Sequence, residues 1–167
     1  EDLGTLAKQE PQGTVITKLK WYKLTSESFE RVIFDLINNA PEYENPEWLM
    51  NTNAPDKGRD LSATLVLKDT LSGTRRQRVI VQCKHWLKKS ISVTDIAAIR
   101  EQITLWEPPK VEILIIATSG RFSSDSVSLI EKNNQSDRAL RIEMWPESHL
   151  ELLLAKRPSL IAEYKLK

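Results

Sequence analysis

The sequence predicts a mixed α/β sheet covered by helices on both faces. Three observations carry that reading. Phe29, Val32, Ile33, Leu36 and Ile37 recur at spacings of three and four, which marks one face of a helix. Two stretches near Leu61–Leu67 and Val79–Lys84 are separated by a turn containing Gly73, as in a strand hairpin. Val111–Ala117 is an apolar run, followed by a capped helical pattern and a further strand pattern.

Residues 1–24 read as a lead-in, polar over Glu1–Gly13 with Pro11 and two glycines, and alternating apolar and polar too irregularly for a strand over Val15–Leu24; residues 25–167 form the predicted domain. The first helix covers about Ser26–Asn38, with Thr25 or Ser26 as cap, and Asn38, Asn39 and Pro41 stop it. Trp48–Asn51 suits a short strand, and Asn53–Gly58 is rich in turn formers. Leu61, Ala63, Leu65 and Leu67 alternate as in a half-buried strand. Thr70–Thr74 makes the turn into the more apolar strand Val79–Lys84. Thr94–Trp106 reads as a helix ended by Pro108 and Pro109, and Val111–Ala117 as a strand central in the sheet. Ser123–Asn133 is a capped helix and Leu140–Trp145 a strand. Pro146–Ala155 and Ser159–Tyr164 are closing helices, with Pro146 at a first helical position.

The counts narrow the classes. The chain has 167 residues, 24 Lys plus Arg against 23 Asp plus Glu, and 40% hydrophobic residues, enough for one domain with a real core and too apolar for a disordered chain. A single cysteine, Cys83, excludes an internal disulfide, and two distant histidines, His85 and His149, argue against a structural zinc site. A reducing, cytoplasmic setting fits. No apolar run approaches the roughly 18 residues of a membrane helix, and no signal-peptide pattern opens the chain. Because the sequence starts at Glu1, it reads as a trimmed chain or one domain of a longer protein.

The chemistry is concentrated at Gly58-Arg59-Asp60 and Gln82-Cys83-Lys84. Side chains alternate across a strand, so Gln82 and Lys84 share a face and Cys83 takes the other. If the two strands pair through the Gly73 turn, the start of one meets the end of the other, and Asp60, Gln82 and Lys84 converge. Asp60 and the Gln82 side-chain oxygen suit Mg²⁺, a hard cation that prefers oxygen and keeps several waters. Lys84 can offset charge building on a phosphate or assist deprotonation. Glu30, beside the apolar face of the first helix, can approach the same pocket.

The "FE" of the first helix, then "GRD", "VIVQCKHW" and "LIIATSGRFS", resemble the Mrr-like branch of the PD-(D/E)xK, or restriction endonuclease-like, nuclease superfamily over about Ser26–Ser123. The resemblance implies a restriction endonuclease-like sheet and a Mg²⁺-dependent DNA endonuclease, with Mn²⁺ as a substitute ion. It also implies a cutting module of a restriction or antiphage protein, frequently fused to a sensing domain. By that likeness Asp60 is the metal-binding Asp, Gln82 and Lys84 are the Gln and Lys of the QxK motif, and Glu30 is the helix-borne Glu. The literal Pro-Asp pair is Pro55-Asp56, but Asp60 leads directly into a strand whereas Asp56 lies in a turn. The neutral Gln82 brings one fewer negative charge to the metal than a carboxylate would.

Each residue also has a plainer reading. Lys84 can be a solvated strand end, Glu30 a rim residue, and Cys83 a core thiol facing away from the site. His85 reads as a surface strand-edge residue, a proton shuttle or a phosphate contact, His149 as structural, and Trp86 as packing on the hairpin in preference to stacking on a base. Residues 68–89 hold seven basic side chains against Asp69 alone, a concentration that attracts phosphate backbones, mainly through Lys88 and Lys89. Arg59 lies beside Asp60. Ser119 and Arg121 lie at a strand-to-helix turn whose N–H groups can hold a phosphate, although an ordinary capped turn explains them equally well. DNA is the expected partner. Cutting two strands needs two sites or two encounters, which a homodimer supplies. The competing function is a non-cleaving DNA-binding or assembly module on a nuclease-like fold, motivated by Gln82. A nucleotide-binding doubly wound domain is disfavoured, since the glycines form no G-x-G or P-loop pattern.

Overall fold

A computed structural model describes residues 18–50, 59–137 and 139–167. The expected turn at Asn53–Gly58, with Asp56, and lead-in residues 1–17 lie outside the described part. The elements run α1 (Ser26–Asn38), β1 (Tyr43–Met50), β2 (Arg59–Asp69), β3 (Gly73–Lys84), α2 (Val93–Ile103), β4 (Ile113–Thr118), α3 (Ser124–Ser136), β5 (Arg141–Trp145), α4 (Glu147–Ala155) and α5 (Pro158–Glu163). The strands form one sheet in the order β1-β2-β3-β4-β5. β1 pairs with β2 and β2 with β3 in antiparallel fashion, whereas β3–β4 and β4–β5 are parallel. The fold is thus the mixed, helix-covered α/β sheet that the sequence predicts.

Strand alternation sorts the core into two layers. Leu61, Ala63, Val79, Val81, Ile113, Ile115 and Ala117 face α1, α4 and α5. Ile80, Leu114, Ile116 and Ile142 face α2 and α3. Fully burying a Val, Leu or Ile side chain of this set contributes roughly 1.5–3 kcal/mol. β4 is buried along its whole length, but it lies between β3 and β5, and β3 is the middle strand.

Caps explain the helix starts. The Thr25 hydroxyl accepts from Ser28 N–H, and Ser92 and Asp95 form a reciprocal capping box at α2. Several boundaries differ from the sequence reading. β1 begins at Tyr43, with a register shift between Glu44 and Glu47 that accommodates Pro46 on this edge strand. The α-helical part of α2 ends at Ile103, and Thr104–Trp106 tightens into a 3-10 turn. Pro146 is the cap of α4 rather than its first residue, whereas Pro158 occupies the opening turn of α5. The core also takes in Leu19, Trp21 and Leu24, which the sequence pattern assigns to the lead-in, and the Trp21 indole donates to Glu151 of α4. Among the described residues no helix is long and apolar enough to cross a membrane.

Candidate active site

The site is built by register. Leu61 pairs with Val81, so the preceding residue Asp60 comes level with Gln82 on the neighbouring strand. Because Leu61 and Val81 point toward α1, Asp60 and Gln82 point toward α2, and Lys84 follows Gln82 on that face. The Gln82 amide Nε2 donates to Asp60 Oδ1 at 2.6 Å. The Trp106 indole Nε1–H donates to Asp60 Oδ2 through another short hydrogen bond. Asp60 is 5% exposed and Gln82 3% exposed, so this is a buried carboxylate with a donor on each oxygen. Burying a carboxylate is costly, and charge-assisted hydrogen bonds of this kind offset much of the cost.

Lys84 is half-buried at the end of β3, its Nζ 5.7 Å from the centre of the Trp86 ring. Lys89 Nζ lies 4.2 Å from the same ring and 3.9 Å from Asp95 Oδ1. Burial opposes ionisation of Asp95. Hydrogen bonds from Ser92 and the charges of Lys89 and Lys84 outweigh it and hold the Asp95 carboxyl below its ordinary range. Asp95 thus brings an anion at the start of α2 to the Lys84 end of the face.

Glu30 stands on a different side from the other three expected catalytic residues. α1 covers the sheet face carrying Leu61 and Val81, opposite to the face of Asp60 and Gln82. Glu30 shares their end of the sheet, since neighbouring Phe29 stacks on His85 with centroids 5.1 Å apart. Its route to the site therefore runs around the strand ends and not across the face. His85 is half-buried, with both ring nitrogens engaged. Its Nε2–H donates to the Leu24 carbonyl at 2.8 Å, and Nδ1 lies 2.8 Å from Ser119 Oγ. Burial pulls the His85 imidazole below its ordinary pKa, with the Leu24 bond acting the other way. The ring ties the N-terminal segment to the loop after β4. Cys83 packs on the α1-side core, as alternation requires, and Trp86 packs on the α2-side core. His149 lies 5.5 Å from the Trp145 ring.

The basic stretch is one patch in sequence and two groups in space. Arg75 and Lys84 lie nine residues apart on one strand, about 30 Å at the rise of an extended chain. Near the hairpin tip, Arg75 pairs with Asp69 and Arg76 with Glu44, and the turn is held by Asp69 Oδ1 accepting from the N–H groups of Leu71 and Ser72. The Arg78 guanidinium is used internally, donating to the carbonyls of Trp106 and Pro109. Lys88 and Lys89 lie at the other end. With Lys18, Ser90, Ser119, Gly120, Arg121 and Glu147 they line a polar cleft of about 380 Å³ beyond the ends of β3 and β4.

Four of the five residues expected to contact DNA therefore share one concavity. The fifth, Arg59, opens β2, and its side chain lies outside the described part. The two loops forming the cleft are joined by Ile91 N–H donating to Arg121 O and Ser123 N–H donating to Ile91 O. Gly120 permits their approach, because a Cβ there would overlap the Trp86 carbonyl oxygen and come within 3.3 Å of the Lys89 carbonyl.

A restriction endonuclease family, the Mrr catalytic domain, matches residues 21–154. The chain belongs to that family. No curated protein matches it. Among solved structures, the DNA modification-dependent restriction endonuclease AspBHI is similar, with 10% identity and a TM-score of 0.49. That similarity covers 90% of this chain and 42% of AspBHI, so the chain spans less than half of that enzyme. Membership of the Mrr family makes this a nuclease-type domain, and domains of this type generally use divalent metals.

Among the described residues, no group of three or more His, Cys, Asp or Glu side chains could hold a metal ion. Of the expected metal ligands, the fold brings together Asp60 and Gln82, whose amide would have to turn to present Oε1 to a cation. That set is all oxygen with a single carboxylate, which suits a hard, largely hydrated cation such as Mg²⁺ and not zinc. Sequence reasoning missed Trp106 as a partner of Asp60, because its spacing marks only the buried side of a helix. The 3-10 turn that redirects its indole has no periodic signature.

Proposed function

We propose that this Mrr-family domain is a Mg²⁺-dependent DNA endonuclease, with Mn²⁺ as a substitute, acting as the cutting module of a restriction or antiphage system. The observation that carries the reading is the 2.6 Å contact between Asp60 and Gln82, on the face and at the sheet end that Lys84 shares. Asp60 is the anionic metal ligand and Gln82 the neutral one. A divalent ion there supplies charge neutralisation and acidifies water. Lys84 offsets the negative charge that builds on the phosphate as the bond to the leaving oxygen breaks. Glu30 acts from the rim of the same sheet end, outside the pair of metal donors. Lys88, Lys89, Ser119 and Arg121, together with Arg59, hold the DNA backbone. Their cleft lies where ligands generally bind α/β sheets, outside the carboxyl ends of parallel strands.

The test is incubation of supercoiled plasmid with Mg²⁺ or Mn²⁺. Lys84→Ala is expected to lower nicking by at least about 100-fold, the scale of losing one charge-stabilising group. Equal cutting by the variant overturns the assignment. A second reading, a non-cleaving DNA-binding module, is favoured by one observation: both Asp60 oxygens already hold protein donors. It predicts duplex binding that is indifferent to metal and leaves the plasmid intact.

A further inference from the structure

We propose that Trp106 is a positioning residue for Asp60, and that Arg78 acts through it. This rests on the nuclease reading and adds residues that no motif of the family resemblance contains. Arg78, Ile80, Gln82 and Lys84 alternate onto the α2 side of β3, so this face carries a guanidinium toward one end and the site toward the other. The guanidinium holds the carbonyls of Trp106 and Pro109, on either side of the bend after α2. The Arg78 main chain is anchored as well, its N–H donating to Glu112 Oε1 at 2.9 Å and its carbonyl accepting from Glu112 N–H at 3.0 Å. The Glu107 carboxylate accepts from Val111 N–H at 2.7 Å and closes the same loop.

The Trp106 backbone is thereby fixed, and its indole lies over the sheet with Nε1–H on Asp60 Oδ2. Gln82 holds the other oxygen. The Gln82 donor leaves when that amide turns to present its oxygen to a cation, so the indole N–H is the donor that stays to fix the carboxylate, and a carboxylate of fixed orientation is a better ligand than one that must be ordered on binding. The indole ring also packs against the α2-side core, so apolar burial alone gives Trp106 a reason to be present. The N–H contact to a buried carboxylate is the part that burial does not require.

Trp106→Phe keeps an aromatic ring and removes the donor. By calorimetric titration with Mn²⁺ alone, the variant is expected to bind about 10–100-fold more weakly than the wild type, the usual cost of losing a group that orients a metal ligand. Arg78→Met, which leaves the indole but frees its backbone, is expected to shift affinity in the same direction by less. In urea unfolding without metal, a cycle of Trp106→Phe and Asp60→Asn is expected to show about tenfold coupling in the unfolding equilibrium, as for groups in direct contact.

Additive effects in that cycle overturn the contact. Coupling with unchanged Mn²⁺ affinity overturns the positioning role and leaves a structural one. If Trp106→Phe does not fold, Arg78→Met carries the test, and wild-type Mn²⁺ affinity in it overturns the proposal. A wild type that neither binds Mn²⁺ nor nicks plasmid overturns the nuclease reading and with it the positioning role. The metal-free cycle then separates that result from an absent indole–carboxylate contact.

Discussion

Gln82→Glu changes one heavy atom and tests the electrostatics of the site. The amide nitrogen it replaces lies 2.6 Å from Asp60 Oδ1, with both side chains buried. Two ionised carboxylates at that separation repel by about 6 kcal/mol at an effective dielectric constant near 20. The pair avoids this by sharing one proton. In that form the new carboxylic acid donates to Asp60 much as the amide does. Keeping the proton has its own cost, which grows above a reference pKa of about 4.3 by roughly 1.4 kcal/mol per pH unit. That cost is about 1 kcal/mol at pH 5 and about 5 kcal/mol at pH 8.

The sign follows from linkage. The folded variant binds the proton more tightly than its unfolded chain, so its stability falls as pH rises from about 4.3 toward neutrality. Since whole domains are stable by only about 5–15 kcal/mol, the metal-free variant is expected to be close to wild type at pH 5 and close to unfolding at pH 8. Mn²⁺ is expected to restore stability at pH 8 more strongly than it stabilises the wild type. Urea midpoints at both pH values, with and without Mn²⁺, measure all four states. A wild-type midpoint for the metal-free variant at pH 8 refutes the proximity on which the site depends.

Two further outcomes follow from the cleft. Gly120→Ala is expected to cost about 1–3 kcal/mol by urea unfolding, because the new methyl group meets main-chain oxygen of the Trp86–Lys89 loop and not a movable side chain. The same displacement is expected to weaken DNA binding, and a variant that keeps wild-type stability argues against the close loop packing. Replacing Lys88, Lys89 and Arg121 together by Ala is expected to weaken binding to any duplex and to reduce the slope of log affinity against log salt by about one for each phosphate no longer neutralised. Fluorescence anisotropy over a salt series reads the slope, and an unchanged slope removes these residues from the interface.

The fold was legible wherever a periodic signal met a cap or breaker. The α1 limits follow from the apolar spacing of Phe29 to Ile37 between Thr25 and Asn39. The facing of Gln82, Cys83 and Lys84 follows from alternation alone, and the pairing of Asp60 with Gln82 from a tight turn at Gly73, whose φ of 78° suits glycine. What stayed hidden is tertiary. Trp21 reads as part of an irregular lead-in until the carboxylate of Glu151, 130 residues away, is placed against its indole. Charge counting in sequence merges Arg75 and Arg76 with Lys88 and Lys89, although an extended strand carries the two groups to opposite ends of the sheet. The side from which Glu30 approaches was hidden for a related reason: helical periodicity says which side of α1 is buried, not which face of the sheet buries it.

The neutral residue at position 82 can be understood through what it does without metal. A buried Asp60 beside a second carboxylate needs a cation or a proton merely for the domain to fold. Beside an amide it needs neither, because Gln82 and Trp106 each offer an N–H to one carboxylate oxygen. On the proposed reading, turning the Gln82 amide exchanges a donor for an acceptor at almost the same point in space, so the same side chain would serve a bare carboxylate and a cation-bound one. The cost is affinity, since a single carboxylate attracts a divalent ion less strongly than two. On that reading the glutamine would separate folding from metal binding. With no metal added, the wild type should unfold at nearly the same urea concentration with and without a chelator, whereas Gln82→Glu at pH 8 should need added metal to stay folded. A wild type that loses its cooperative transition in chelator would show that metal and fold are coupled here after all.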